Sequence, residues 1–112
     1  MIIYHITSAE EWQKAKFKNE YLPAGYTADH FIHCSYKEQV AATANRYYSG
    51  QTGLILLKID SSLLRAAVKE ENLVGGTELF PHIYGSLPIS AVIGTALLNS
   101  TPSAGFFFPN GF

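Results

Sequence analysis

Phe31-Ile32-His33-Cys34-Ser35 is an apolar run interrupted by three side chains with chemistry of their own. Phe and Ile favour a half-buried pleated surface, so the run is expected to be a strand, and successive side chains on a strand face opposite ways. Phe31, His33 and Ser35 then share one face, and Ile32 and Cys34 share the other. That parity keeps His33 from serving as base for its neighbour Cys34, while it lets His33 and Ser35 line the same cleft. Cys34 reads as a small buried hydrophobe rather than a nucleophile.

Upstream, Ile2-Ile3-Tyr4-His5-Ile6-Thr7 is β-branched and aromatic, which predicts a first strand with Ile2, Tyr4 and Ile6 on one face and Ile3, His5 and Thr7 on the other. A histidine and a hydroxyl again share a face. Ser8 with Glu11 three residues later has the form of a capping box, and a helix follows whose apolar side carries Trp12, Ala15 and Phe17. From Asn19 to His30 the residues Pro23, Gly25 and Asp29 punctuate a loop, whose Tyr21, Tyr26 and Thr27 are placed to cover a bound ligand, with packing of the aromatic residues on the core the favoured reading. Ser35 and Glu38 repeat the capping signature before a second helix spaced by Val40, Ala41, Ala44, Tyr47 and Tyr48.

Downstream, Leu54-Ile55-Leu56-Leu57-Lys58-Ile59 is a nearly continuous apolar run of strand length, suited to an inner strand covered on both faces. Asp60-Ser61-Ser62 caps a short helical turn, and Ala67-Val68-Lys69-Glu70 returns as a strand. Gly75-Gly76 marks a turn before Glu78-Leu79-Phe80-Pro81-His82-Ile83-Tyr84-Gly85, where Glu78, Phe80 and His82 share parity if the segment is extended. Ile89 to Leu98 is expected to be the last strand, closing a domain over 1–99. The tail over 100–112 ends in Phe106-Phe107-Phe108-Pro109-Asn110-Gly111-Phe112, and so many aromatic rings are expected to fold back or mediate homo-oligomer formation.

A chain of 112 residues holds one comfortable domain, and 47% hydrophobic with 15% charged residues argues for a folded globule. Formal net charge is −1, so the basic face expected of a double-stranded nucleic acid binder is missing, and small molecules or proteins are the better partners. One cysteine forms no internal disulfide, and no apolar run approaches the roughly 18 residues of a membrane span. A cytoplasmic protein is expected.

His5, His33 and His82 stand out as candidate site residues, because two of them share strand parity with a hydroxyl and paired strands would bring His5 and His33 to one wall. Several readings remain open on residues alone. In one, the three imidazoles ligate zinc with a fourth position for water, as in a metal-dependent hydrolase. A noncatalytic small-ligand or protein-binding module using the same cleft is another.

Ile3-Tyr4-His5-Ile6-Thr7, Trp12, Phe31-Ile32-His33-Cys34-Ser35, Asn45-Arg46-Tyr47-Tyr48, Phe80-Pro81-His82-Ile83-Tyr84-Gly85, Leu87-Pro88 and Ala91-Val92 together resemble the family catalogued as domain of unknown function 952. The resemblance places the chain in the ADP-ribosyltransferase-like superfamily and implies an α+β fold, a split, mostly antiparallel β-sheet with packed helices around a nicotinamide dinucleotide cleft. The first part is also similar to RNA 2′-phosphotransferases, whose His-Gly-Thr, Trp and second His match His5, Thr7, Trp12 and His33, with Ile6 in place of the glycine. His30 stands where the family pattern has glycine before the Phe-Ile-His run.

The resemblance implies NAD as substrate and transfer of ADP-ribose, with a protein as one candidate acceptor. In that scheme His5, Thr7 and Ser35 hold the nucleotide, His33 fixes the second ribose or the acceptor, and Glu78 or His82 orients the nucleophile. RNA 2′-phosphate transfer fits less well, since Arg46 and Arg65 are the sole arginines for a phosphate pocket.

Overall fold

The structure is a computed structural model that describes residues 1–72 and 76–112, without the side chains of Thr27 and Ala28. The expected ligand cover by Thr27 and the turn at Gly75 therefore lie outside the described residues. Along the chain run β1 (Ile2–Ser8), α1 (Ala9–Lys18), β2 (Glu20–Tyr21), α2 (Tyr26–Asp29), β3 (Ile32–His33), α3 (Val40–Tyr47) and β4 (Leu54–Asp60). Then come β5 (Ala67–Glu71), β6 (Phe80–Tyr84), β7 (Leu87–Pro88), β8 (Val92–Leu98), β9 (Ser100–Thr101) and β10 (Gly105–Phe106). Among the described residues every strand pairing is antiparallel, in two three-stranded sheets ordered β1-β4-β8 and β3-β6-β5 and two short ribbons, β2-β7 and β9-β10. The fold is α+β, and among the described residues no helix is long and apolar enough to cross a membrane.

Pro81 accounts for where the two larger sheets part. Ile32 and His33 pair with Ile83 and His82, so Cys34 and Pro81 come next in register. The Cys34 N–H donates to the Pro81 carbonyl at 3.0 Å, but proline has no N–H to return the bond, and the ladder ends there. The following residue exchanges both backbone bonds with the other sheet: Tyr4 N–H to Ser35 O and Ser35 N–H to Tyr4 O, each 2.8 Å. The opening stretch is thus the joint between the two sheets, and its neighbours across the joint are β1 and β6.

Alternation on β1 and β4 divides the interior. Ile3, Leu57 and Ile59 belong to one apolar cluster with Ile32, Cys34 and Ile83, whereas Tyr4, Ile6, Leu54 and Leu56 belong to a second with Val40 and Ala44. Strand β4 is covered on both faces, as its apolar run predicts. Ser8 caps α1 by accepting from the Glu11 N–H at 3.1 Å, and Asp60 caps a 3-10 turn at Ser61–Leu63 by accepting from the Ser62 N–H at 3.0 Å.

Several local expectations are corrected. The segment read as loop between Asn19 and His30 contains β2 and the single turn α2, because Pro23 accepts from the Tyr26 N–H and Gly25 from the Asp29 N–H. The second helix starts one step later than Ser35 would cap it. Tyr36 is the N-cap of a 3-10 turn at Lys37–Gln39, and Gln39 Oε1, not Glu38, accepts from the Tyr36 N–H at 2.9 Å. Ile89–Ala91 is another 3-10 turn, so the last long strand begins at Val92; a short apolar run after Pro88 does not by its pattern distinguish the two.

The aromatic tail packs back on the second cluster. Phe106 is buried among Leu98, Val40 and Tyr4, with the Tyr4 ring 5.2 Å edge-on to Phe108, and the Phe106 N–H donates to Asn45 Oδ1 at 2.7 Å. Gly105 permits this approach. At its φ of +74° a β-carbon would sit 2.3 Å from Asn45 Oδ1, so no larger residue fits.

His30, in the glycine position of the family pattern, has φ +64°, the left-handed conformation that glycine adopts freely. We expect His30→Gly to raise stability by roughly 0.5–1 kcal/mol, the strain removed outweighing the entropy gained by the unfolded chain. Urea titration of both proteins measures this; a destabilised variant would mean that the His30 side chain contributes more than the strain costs.

Candidate functional site

The split between the sheets opens a cleft with two adjoining compartments. The larger, about 530 Å³, has aromatic walls from Phe31, Tyr47, Tyr48 and Phe80, with Arg46 as its one guanidinium. His33, His82, Glu71 and Glu78 supply its remaining ionisable wall with Asp29. The smaller, about 330 Å³, is lined by His5, Thr7, Ser8 and Glu11 from the start of the chain and by Tyr21, Tyr26 and Gln51 opposite. Asp29, Phe31, His33 and Tyr48 line both, so His33 stands at the partition.

In the smaller compartment β1 parity holds His5 and Thr7 side by side, and β2 brings Tyr21 to them. His5 Nδ1 lies 2.6 Å from the His33 carbonyl, Nε2 lies 2.9 Å from the Tyr21 hydroxyl, and that hydroxyl lies 2.9 Å from Thr7 Oγ1. A carbonyl oxygen only accepts, so Nδ1 carries the proton; Nε2 of the neutral ring must then accept from Tyr21, and Tyr21 in turn accepts from the freely rotating Thr7 hydroxyl. Protonating His5 would reverse the whole series. Burial opposes this, pushing His5 down to about 4 against the weaker opposite effect of its bond to the His33 carbonyl, and burial likewise raises the Tyr21 phenol.

The larger compartment contains a second series, built on the β5-β6-β3 face. Lys69 is directly opposite His82 and Glu71 opposite Phe80, which puts Glu71 on the diagonal to His82 and on the same face. Glu71 Oε1 accepts from the Tyr84 hydroxyl at 2.5 Å and from His82 Nδ1 at 3.0 Å. These two donors, Tyr84 first, hold the Glu71 carboxyl below its ordinary range. With Nδ1 donating to the Glu71 carboxylate, Nε2 of a neutral His82 ring is an acceptor for His33 Nδ1, 3.2 Å away.

His33 Nε2 is consequently a bare lone pair. It is buried and, among the described residues, has no hydrogen-bond partner. Burial, followed by the neighbouring His82 and His5 and opposed by Asp29, pushes His33 down to about 4. Phe31 stacks on the His82 ring at 4.1 Å and Phe80 flanks His33 at 5.1 Å, so aromatic faces fix the rings as well as the hydrogen bonds. A neutral imidazole with one nitrogen anchored and the other free is the arrangement of a hydrogen-bond acceptor or general base.

The site residues expected from sequence divide as follows. His5, Thr7, His33, His82 and Glu78 all line the cleft, Glu78 on its exposed rim. Ser35 does not line either compartment; it keeps the parity of His33, but Thr43 of α3 covers it, with the two hydroxyls 3.4 Å apart. Ile6 packs into the second apolar cluster and also lines the smaller compartment beside His5 and Thr7. Cys34 is buried and its thiol is pushed up by burial, as a packing residue should be.

The three imidazoles do not converge on one point. His5 turns its two nitrogens to the His33 carbonyl and Tyr21, and among the described residues no group of three His, Cys, Asp or Glu side chains is placed to hold a metal ion. Glu71 and Tyr84 were not legible as site residues. The available signal was the shared parity of Phe80, His82 and Tyr84 and the even spacing of Lys69 and Glu71, but the register between β5 and β6 decides which carboxylate meets His82.

The model of the family described as protein of unknown function (DUF952) matches residues 6–95. The chain belongs to DUF952. Among solved structures, this DUF952 protein is similar to the crystal structure of protein CC0527 from Caulobacter crescentus, with 35% identity, a TM-score of 0.85 and coverage of 96% of this chain and 94% of that one. The solution NMR structure of CC0527 is similar at 36% identity and a TM-score of 0.79, covering 93% and 90% of the two chains. No curated protein matches.

The depressed His5 basicity makes a pH prediction for this DUF952 fold. Below about 6.5 the unfolded chain takes up a proton that folded His5 refuses until about 4. The unfolded state then binds more protons, so stability is full above that window and falls as pH drops through it, by roughly 3 kcal/mol for His5 alone. Urea titrations from about pH 7 to about pH 4 measure the slope, and His5→Gln should reduce it by about half, since His33, also pushed down to about 4, supplies a similar share; an unchanged slope in the variant would show that His5 contributes nothing to it.

Proposed function

We propose that the protein binds NAD or a related nucleotide in the histidine-lined cleft and transfers ADP-ribose from it to an acceptor. The observation that carries this reading is the Glu71, His82, His33 series, which ends in a buried, unpartnered Nε2 on a residue that lines both compartments. A transfer reaction needs two substrates meeting at one base. The larger compartment takes the nucleotide: Phe31, Phe80 and Tyr48 offer ring faces for a base, Arg46 a guanidinium for a phosphate, and Glu71 and Glu78 carboxylates near a cationic nicotinamide.

In this reading the bond between nicotinamide nitrogen and ribose C1′ breaks and its electron pair leaves with nicotinamide, neutralising the ring. The acceptor oxygen or nitrogen forms the new bond to C1′, and its proton passes to His33 Nε2. His33 can hand a proton from Nδ1 to His82, whose Nδ1 proton is already shared with Glu71, so the charge is spread over three groups. The cleft orients the sugar and stabilises positive charge developing on it; no strong acid is required, because nicotinamide leaves as a neutral molecule.

Incubation with NAD, followed by chromatography for nicotinamide and by thermal melting, tests the reading. A melting midpoint that rises with the logarithm of NAD concentration, together with nicotinamide release faster than in buffer, is expected. A rise without release would favour the noncatalytic module, for which the sealed position of His33 Nε2 is the supporting observation. Neither effect with NAD or related nucleotides would remove the proposal.

A further inference from the structure

Three features of the smaller compartment bear on what enters it. It shares His33 with the larger one, and His33 Nε2 is buried without a hydrogen-bond partner among the described residues. Its polar wall is rich in hydroxyls, from Thr7, Ser8, Tyr21 and Tyr26. Its charged lining consists of Glu11 and Asp29, with no lysine or arginine among the described residues. The start of α1 also borders this space and would attract an anion, but that end is already occupied. Ser8 Oγ accepts from the Glu11 N–H, the Ala9 N–H donates to the Gly53 carbonyl, and Glu10 and Glu11 sit in the first turn.

We propose that the smaller compartment is the acceptor subsite, and that it takes an uncharged or cationic alcohol or amine, not an anion. A phosphorylated or carboxylated acceptor meets two carboxylates and no countercharge. The compartment is contiguous with the nucleotide compartment at the residue that takes the proton, which is the placement a transfer step needs. This assignment rests on the transfer reading for its chemistry, though not for its binding.

D-Ribose, ribose 5-phosphate and agmatine are suitable probes, since the first two differ by one anionic group and the third is a cationic amine. Each is titrated at millimolar concentration into isotope-labelled protein, with side-chain NMR signals followed. Ribose and agmatine should move the signals of Thr7, Tyr21 and Gln51 while leaving Phe80 and Glu78 in place, and ribose 5-phosphate should bind about tenfold more weakly or worse. Glu11→Lys should shrink or invert that preference. Equal binding of the phosphorylated sugar, or perturbations confined to Phe80 and Glu78, would overturn the assignment, as would absence of binding by all three. Ribose bound at Thr7 and Tyr21 with no nicotinamide release under any condition would sink the transfer reading and leave the subsite standing. Nicotinamide release with the probes absent from that compartment would do the reverse.

Discussion

His33→Ala should abolish NAD-dependent melting shifts and lower nicotinamide release by roughly 10²–10⁴-fold, the range for loss of a positioned general base. The same variant should melt within a few degrees of the parent. His33 is half-buried, its Nε2 makes no bond to the described protein, and its Nδ1 bond to His82 is its one side-chain hydrogen bond among the described residues. Removing the ring frees His82 Nε2 but also removes a buried acceptor that has no partner, so the two effects on stability oppose each other. Release of nicotinamide at the parental rate would assign the chemistry elsewhere, and a collapsed fold would make His33 a packing residue.

Phe106→Ala should cost roughly 3–5 kcal/mol, the range for removing a buried phenylalanine side chain. Phe106 is 4% exposed and sits with Tyr4, Leu98 and Val40, while the Phe108 and Phe112 rings close over the same cluster. A domain of this size has on the order of 5–15 kcal/mol in all, so the variant should be marginal. Phe107, 45% exposed, is the control, and Phe107→Ser should change stability by less than about 0.5 kcal/mol. Urea titration gives both values; a Phe106 variant within about 1 kcal/mol of the parent would show that the tail contributes little to the interior.

Period-two alternation made the walls of the site readable. On β1 it separates His5 and Thr7 from Tyr4 and Ile6, and the structure keeps them on opposite faces because both sides of this sheet are covered. On the opening stretch it puts His33 on the cleft side and Cys34 in the interior. Alternation says nothing about what lies above a face, which is why Ser35, of the same parity as His33, ends beneath α3. Nor does it give register between strands far apart in sequence. Glu71 reaches His82 because β5 and β6 pair Lys69 with His82, and a slip of one residue would have turned Glu71 to the other face.

Pro81 was the least transparent residue of the chain. Read locally, it argues against an extended segment, yet it lies in the middle strand of the second sheet and its missing N–H marks the point where the opening stretch leaves that sheet for β1. The split itself was anticipated from the family resemblance, but its cause is visible once the register is known.

His33 is held neutral with its proton on Nδ1 and a buried, unpartnered Nε2. Long-range proton–nitrogen NMR of the histidine rings at about pH 7 reads this directly, without any ligand. The account predicts a protonated Nδ1 and an unprotonated Nε2 for His33, with Glu71→Gln weakening that preference through His82. An Nε2-protonated or imidazolium His33 in the wild-type protein would contradict it.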